Sequence, residues 1–529
     1  MTHLSRLNPL RRTALAIVAG GLLLFTSASP GLADDSTQTP PPFGFSSFAA
    51  EGRAQSPSAS PPKGAALLAS APVVSRTINV GANVDVIGSY DVTQQATIGG
   101  TSVNTCNPGM QTAQNETTIA VNPAAAANLV GGTNDYRLYE PSENRYDGSG
   151  GFYQTTDGGV TWTAGFLPGL VRANAANPGP YESAGDPVVA AGPSGTFWYA
   201  NLAFNRTDNA NSVAVSRSTD SGASWTTSYV LQTSAAQGAT LFNDKEWIGA
   251  DPRNASVAYV TWTQFHSTTS GHTTRSNIVI SKTTDGGASW SAPGNVSPYR
   301  YNQGSVVQVD ANGVVRVVYE ALAHGRDVIA YSVSSDGGKT FQTKILAVDN
   351  DILSPLPGAS FRDNSFPAFA MNGSTLHIVW SNWNGSNADV VYLRSTDGGA
   401  TWSAPATIAG GTGDQFFPWV AANAGKVYVS YFNRGGGGDS YTISVVASTT
   451  NGASWTPQVA VSSATSTVSD GNAFGFPNCA YSFIGDYSGV AVGGDGVAHP
   501  LWTDIRIGND PSGPTGADQD PFTATISAS

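Results

Sequence analysis

An eight-residue motif recurs six times in this chain of 529 residues and constrains the fold more than any other feature. The copies occupy residues 155–162, 218–225, 283–290, 334–341, 395–402 and 448–455. Each begins with Ser or Thr and ends with Trp or Phe. Five carry Asp at the third position, where Thr450 stands in the sixth. Strand-like runs separate the copies, and a spacing near 60 residues suits one four-stranded propeller blade. The spacing therefore predicts an all-β propeller of four-stranded blades.

The composition agrees with this fold class. Charged residues make up only 12% of the chain, and the 60 glycines and 31 prolines favour turns over helices. A hydrophobic fraction of 40% supplies a large core and excludes global disorder. The net charge of −12 makes nucleic acids and anionic membranes poor partners.

A second repeat gives the number of blades. It consists of an alternating apolar strand, a short turn and a strand that ends on an aromatic residue, and it occurs seven times between residues 119 and 502. Seven blades are therefore favoured, with six as the alternative. The seventh unit has a third strand near residues 522–526 and needs a fourth. We expect residues 77–80 or 84–87 to supply it, so that an N-terminal strand closes the ring.

The N-terminal region divides into two further segments. Residues 1–33 carry Arg11 and Arg12, then an apolar run and small residues, which is typical of a cleaved secretory signal peptide. Residues 34–75 are rich in Pro, Ser and Ala and are predicted to form a disordered linker. The propeller then covers residues 76–529. The mature protein is expected to be secreted, monomeric and without a membrane anchor.

The motif itself is interpreted as a structural turn. Its Asp accepts hydrogen bonds from backbone N–H groups, and its glycines allow a positive φ. The turns join the third and fourth strands of a blade, so functional groups are expected on the opposite face of the ring.

Acidic residues stand at the start of most innermost strands, where they would converge on the mouth of the central channel. They are Glu116, Asp186, Asp244, Glu246, Asp363, Asp414 and Asp486. Glycoside hydrolysis needs such a pair of carboxyl groups. Asp186, Glu246 and Asp486, together with Tyr487, are the predicted catalytic residues. The alternative is that these acids satisfy backbone N–H groups at strand ends.

Arginines lie beyond the ends of several second strands or, for Arg362, between two blades. An arginine cluster binds a carboxylate or sulfate group in a bidentate manner. The predicted substrate-binding residues are Arg137, Arg362, Arg434 and Arg506, with Trp247 as an aromatic contact. The alternative is that they bridge neighbouring blades. Glu320 is a further acid/base candidate.

Few other features point to chemistry. No cofactor is expected, although the run Asp349-Asn350-Asp351 offers oxygen ligands for a structural calcium ion. Cys106 precedes the first blade unit and Cys479 the seventh, so ring closure would bring them together, and we predict a disulfide between them.

The eight-residue motif resembles the Asp-box (BNR) repeat of sialidases and other exported propeller proteins. The stretches 115–117, 244–247 and 485–487 also resemble sialidase-like bacterial propellers. The resemblance implies an exported sialidase-like glycoside hydrolase acting on extracellular glycans. The alternatives are a propeller that binds glycan or protein without chemistry, and a lyase of uronic-acid polysaccharides.

Overall fold

A computed structural model describes residues 67–88, 113–142, 145–468, 483–506 and 518–529. The regular secondary structure of these residues is almost all β-strand, with one short α-helix, α1 (Ala235–Gly238), capped by Ser234. Within the described residues, no helix has the length and apolar character needed to cross a membrane. The predicted signal peptide, most of the predicted linker, and both cysteines lie outside them.

Seven sheets form the propeller. The chain begins with two short strands, β1 (Ile78–Val80) and β2 (Val84–Asp85). Blade 1 then contains β3 (Gln114–Val121), β4 (Leu129–Glu140), β5 (Arg145–Thr155) and β6 (Thr163–Phe166). Blade 2 contains β7 (Ser183–Ala191), β8 (Phe197–Phe204), β9 (Asn211–Ser218) and β10 (Thr226–Thr233). Blade 3 contains β11 (Leu241–Ala250), β12 (Ala258–Ser267), β13 (Thr273–Thr283) and β14 (Gly294–Asn295).

The remaining blades follow the same order. Blade 4 contains β15 (Asn302–Val309), β16 (Val315–Ala323), β17 (Arg326–Ser334) and β18 (Gln342–Val348). Blade 5 contains β19 (Ala368–Asn372), β20 (Thr375–Trp383), β21 (Ala388–Ser395) and β22 (Ala406–Ala409). Blade 6 contains β23 (Asp414–Asn423), β24 (Lys426–Arg434), β25 (Ser440–Ser448), β26 (Val459–Ala460) and β27 (Ser466–Thr467). Blade 7 contains β28 (Gly489–Val492), β29 (Ala498–Asp504), β30 (Asp520–Thr523) and β31 (Ile526–Ala528).

The first strand of each blade is innermost. Neighbouring strands pair antiparallel within each blade, and the inner strands contact one another in the order β3, β7, β11, β15, β19, β23, β28 and back to β3. Apolar side chains fill the space between adjacent blades. The prediction of seven four-stranded blades is confirmed, and the six-blade alternative is wrong.

N-terminal strands complete blade 7, as the sequence predicts. Strand β1 pairs with β31, with Ile78 opposite Ala528. Strand β2 pairs with β30, with Val84 opposite Thr523. Both candidate segments are used, because the third strand of this blade is divided into β30 and β31. The N-terminal strands thus supply the outermost strand of blade 7 and close the ring.

Residues just before β1 also contact the propeller, although the sequence placed them in the linker. The backbone N–H of Ala71 donates to the carbonyl of Thr407 at 2.8 Å, and that of Val74 donates to the carbonyl of Trp455 at 2.7 Å. The outer edges of blades 5 and 6 carry unpaired backbone groups, which this segment satisfies. Ala71 and Val74 of the predicted linker thus bind blades 5 and 6.

The repeated motifs form the same turn in blade after blade. Asp157 accepts a hydrogen bond from the Thr161 N–H at 3.0 Å and another from the Thr161 hydroxyl at 2.6 Å. Trp162 Nε1 donates to the carbonyl of Gly159 at 3.1 Å, and Gly159 has a φ of 91°. Asp220, Asp285, Asp336 and Asp397 make equivalent bonds. These bonds hold the pKa of each carboxyl below its ordinary value. The motif has the structural role that its sequence indicates.

Candidate active site

A bulge at the same position in the innermost strand shapes the mouth of the channel. In blades 1, 2, 3, 4 and 6 the pairing of the first and second strands shifts by one residue at this point. The bulged residues with positive φ are Glu116 (53°), Asp186 (54°), Lys245 (50°), Gly304 (64°) and Phe417 (47°). Bulges redirect side chains, and a positive φ is strained for residues other than glycine. The backbone therefore carries strain where side chains gather at the mouth.

Lys245 lies at the centre of this group. Its ammonium nitrogen is 2.7 Å from Asp486 Oδ2, 3.5 Å from Glu116 Oε1 and 3.7 Å from Asp186 Oδ2. Carboxyl groups from blades 1, 2 and 7 thus meet at one cation from blade 3. Since each oxygen lies within 3.7 Å of the same nitrogen, no two of them are further apart than twice that distance. Glycoside hydrolysis likewise uses two carboxyl groups that stand close together.

Arg362 is the second cation of the group. It lies in the connection between blades 4 and 5, and its Nε donates to Asp486 Oδ1 at 2.8 Å while Nη2 donates to Oδ2 at 2.5 Å. Asn364 fixes the same segment by donating to the carbonyl of Asp486 at 3.1 Å. Arg362 is thus the member of the predicted arginine set that reaches the acids at the mouth.

The pKa values of these groups are pushed apart. Burial raises the pKa of Glu116 to about 8 despite the ammonium of Lys245, and the negative charges of Asp186 and Asp486 add to this. Burial opposes the ionisation of Asp486, but the neighbouring Arg362 and Lys245 lower its pKa to about 2. The carboxylates overcome the effect of burial on Lys245 and raise its pKa. The cluster therefore contains a carboxyl whose pKa is raised beside one whose pKa is lowered.

Glu246 is a second protonated acid at the mouth. Its side chain is only 1% exposed, and neither carboxyl oxygen has a hydrogen-bond partner. Burial and the charge of Asp186 raise its pKa well above the ordinary value. Buried polar groups are nearly always hydrogen-bonded, so a buried carboxyl without a side-chain or backbone partner of this kind is unusual.

Aromatic side chains form the floor of the pocket. The rings of Trp247 and Trp419 stack with centroids 4.7 Å apart, and Tyr487 lies 6.2 Å from Trp247. Lys245 contacts the face of Tyr487 at 5.0 Å. With Phe366 these rings line a pocket, and Asp186 and Glu246 are part of its wall. A flat aromatic surface beside two acids suits a sugar ring.

The other predicted arginines lie away from this group. Arg137 is buried and pairs with Asp135 at 2.6 Å. Arg434 is also fully buried and pairs with Asp414 at 2.9 Å. Arg506 pairs with Asp504 at 2.7 Å and donates to the side-chain oxygen of Asn83. Each contributes to packing within or between blades, which is the alternative that the sequence left open.

The acid Glu320 belongs to a different cluster. Carboxyl oxygens of Glu320, Asp327 and Asp351 lie within 4.8 Å of one another in blade 4 and the loop that follows it. Two of the three are buried. Asp351 belongs to the run considered for calcium, and the oxygen ligands suit that ion. Acidic groups at this spacing also occur without an ion.

Two contributors to the site were missed from the sequence. Lys245 was overlooked because one lysine in an apolar strand has no periodic signal, although the polar run Asp244-Lys245-Glu246 inside an inner strand is unusual. Trp419 stands in the apolar run of an innermost strand, so the sequence pattern indicates only a strand residue. Its ring stacks on Trp247 from across the channel, and no local sequence pattern indicates such a contact.

Comparison with known proteins gives distant similarities. No family model matches the chain. A xyloglucanase from Paenibacillus sp. is 28% identical over 271 residues, which are 48% of this chain and 23% of that protein. The chain thus matches about a quarter of this curated relative.

Solved structures with a similar fold include two carbohydrate-active propellers. An α-L-arabinanase from Penicillium chrysogenum aligns with a TM-score of 0.41 and 13% identity, over 78% of this chain and 92% of that one. A Hadza microbial sialidase aligns with a TM-score of 0.41 and 12% identity, over 86% of this chain and 98% of that one.

Proposed function

We propose that this protein is an exported glycoside hydrolase that cleaves extracellular glycans at the mouth of its channel. The observation that carries the proposal is Glu246, a buried carboxyl without a hydrogen-bond partner that lines the same pocket as Asp186. Glu246 is the proton donor to the leaving sugar oxygen. Asp186 is the second carboxyl, acting either as nucleophile or as the base that activates water.

The surroundings of the two acids fit these roles. Burial keeps Glu246 protonated, and Asp186 raises its pKa further. Asp186 accepts a hydrogen bond from the Lys245 N–H at 3.2 Å, and its Oδ2 lies 3.7 Å from the Lys245 ammonium nitrogen. One carboxyl that donates a proton and one that carries charge are what the reaction requires.

The sugar at the point of cleavage is proposed to be neutral. Arg137, Arg434 and Arg506 are paired with acids of their own, and Arg362 is bidentate to Asp486. A carboxylate on the cleaved sugar would have to displace one of these partners. The aromatic floor instead suits the apolar face of a neutral sugar. The partial similarity to a xyloglucanase supports the same substrate class.

Activity on a glycan panel tests the proposal. Xyloglucan, arabinan and a sialylated oligosaccharide are incubated with wild type, Glu246→Gln, Asp186→Asn and the control Asp389→Asn. Asp389 is a buried acid on the same face whose pKa is also raised by burial. We expect kcat to fall about 10²- to 10⁴-fold in the first two variants, as loss of acid or base catalysis does, and to stay unchanged in the control.

Two results would overturn the assignment. Full activity in both Glu246→Gln and Asp186→Asn would show that other groups perform the chemistry. Binding of a glycan without any cleavage would favour a propeller that binds but does not react, since the ion pairs of Lys245 already neutralise several of the acids.

A further inference from the structure

A second cleft on the same face of the propeller carries two arginines without acidic partners. It is lined by His266, Arg275, Asn277, Tyr299 and Arg300, together with Thr274 and Pro298. Arg275 and Arg300 are both exposed. Among the described residues neither forms an ion pair, whereas most other arginines at strand ends do. The lining of the cleft includes no carboxylate, in a chain whose net charge is −12.

The walls of the cleft are held rigidly. One wall is the start of β13 and the other is the loop before β15. The Ser276 N–H donates to the carbonyl of Arg300 at 3.0 Å, and Asn302 Nδ2 donates to the carbonyl of Ser276 at 2.7 Å. Arg300 Nε donates to the carbonyl of Thr274 at 2.8 Å, which orients the guanidinium. A ligand would therefore meet a cleft that is largely preorganised.

The chemistry of the lining suits an anion. Arg275 Nη2 lies 3.5 Å from His266 Nδ1, and the buried Nε2 of His266 has no hydrogen-bond partner. The terminal nitrogens of Arg300 also make no hydrogen bond among the described residues. Guanidinium groups bind carboxylate and sulfate oxygens in pairs, and Asn277 and Tyr299 offer further polar contacts.

The cleft and the pocket at the mouth are both formed in part by blade 3 and lie on the same face of the propeller. Thr263 of β12 pairs with Asp244, and His266 lies three residues further along that strand. A strand rises about 3.3 Å per residue, so the cleft stands roughly 10 Å beyond the level of Asp244 on the same face. A glycan held over blade 3 would reach from the mouth to the cleft.

We propose that this cleft is an accessory subsite that binds a carboxylate or sulfate group on a sugar next to the one cleaved. The inference rests on the proposed function for the glycan as ligand. It differs from that function in the residues involved, because the subsite uses arginines of blade 3 and none of the acids at the mouth.

Direct binding tests the subsite without requiring hydrolysis. Heparin octasaccharide provides the sulfate arm, oligogalacturonate the carboxylate arm and cello-oligosaccharide the neutral control. Calorimetry compares wild type, Arg275→Ala/Arg300→Ala and Arg76→Ala/Lys339→Ala, the last removing two exposed positive charges elsewhere. We expect one anionic probe to bind at least tenfold more tightly than the neutral one, and its affinity to fall at least tenfold only in the Arg275/Arg300 variant.

The outcomes separate the two proposals. Anion binding that persists in Glu246→Gln supports the subsite even if no hydrolysis is ever found. Equal binding in wild type and Arg275→Ala/Arg300→Ala overturns it, as does failure of both anionic probes to bind more tightly than the neutral one. A polyglutamate peptide that binds as tightly as the glycans would show a response to charge alone and would also overturn the assignment to a glycan.

Discussion

The Lys245 ammonium lies 2.7 Å from Asp486 Oδ2, so a residue of blade 3 is bound to the residue that leads into blade 7. Blades 1 and 2 stand between these two blades in the ring, and each contributes a further carboxyl to the same ammonium, Glu116 and Asp186. The contact therefore crosses the mouth of the channel. The ion pairs of Lys245 therefore connect blades 1, 2, 3 and 7 and also form the centre of the candidate site.

Replacing Lys245 with Met should destabilise the propeller strongly. The substitution keeps the volume but leaves Glu116 and Asp186 without this cation and Asp486 with Arg362 alone, and breaking a buried ion pair in this way costs about 3–5 kcal/mol. Urea unfolding at pH 7 measures the loss. Lys245→Arg should retain more stability than Lys245→Met because the positive charge remains. Lys339→Met at an exposed position is the control, and equal effects of Lys245→Met and Lys339→Met would contradict the role of the cluster.

Glu116 should make the protein less stable as the pH rises. Its pKa is raised from 4.5 in the unfolded chain to about 8 in the folded protein. The folded state thus holds a proton that the unfolded state releases, and this stabilisation is complete below pH 4.5 and lost as the pH rises through 8. The slope reaches at most about 1.4 kcal/mol per pH unit. Urea midpoints between pH 5 and pH 9 should decline less steeply in Glu116→Gln, and identical slopes would refute the assignment.

Removing the Asp of a repeated turn should lower the thermal stability of the protein. Asp285→Ala removes acceptors for the Ser289 N–H, the Ser289 hydroxyl and the Thr283 hydroxyl, so the thermal midpoint should fall by several degrees with glycan binding intact. Because the pKa of Asp285 is lowered to about 2, its contribution is present above pH 3.8 and lost as the pH falls through 2. The difference between the wild type and the variant should therefore shrink in acid.

The degenerate sixth turn offers the reverse test. Thr450 Oγ1 accepts from the Ser454 N–H at 3.0 Å and lies 2.9 Å from the Ser454 hydroxyl. A carboxylate at this position would serve both donors with separate oxygens, so Thr450→Asp should raise the thermal midpoint. A decrease would show that the turn of blade 6 has a different geometry from the other five.

Cys106 and Cys479 are expected to form a disulfide. Both lie outside the described residues, but Ala113 and Phe483, which follow them by seven and four residues, pack in one cluster with Tyr136. A bond closing so long a loop stabilises by about 5 kcal/mol at most. Alkylation of the unreduced protein followed by mass spectrometry should leave both cysteines unlabelled, and labelling of both would exclude the bond.

The fold could be predicted from the sequence because its signals are local and repeated. A turn motif and a two-strand unit recur at blade length, and the missing strand of the seventh unit points to residues 77–87. The acids at the mouth could be predicted because strand starts converge around a channel. Their order of importance could not, since Lys245 and Trp419 make their decisive contacts across the ring.

The sequence around two of the arginines indicates their ion-pair partners. Arg137 and Arg506 each follow an aspartate by two residues, as in Asp135-Tyr136-Arg137. Alternate residues of a strand point to the same side, so such a pair is placed to form its own ion pair. This spacing indicates an ion-pair partner within the strand.

The pairing of β1 with β31 also has a consequence for biosynthesis. A ribosome releases Ile78 long before Ala528, so six blades can assemble while the seventh still waits for its last partner. During that interval β1 and β2 of one copy can pair with the seventh blade of another copy, where the same partner strands are present. Refolding at high concentration should therefore yield interlocked dimers that exchange their N-terminal strands, whereas refolding at high dilution should yield monomers.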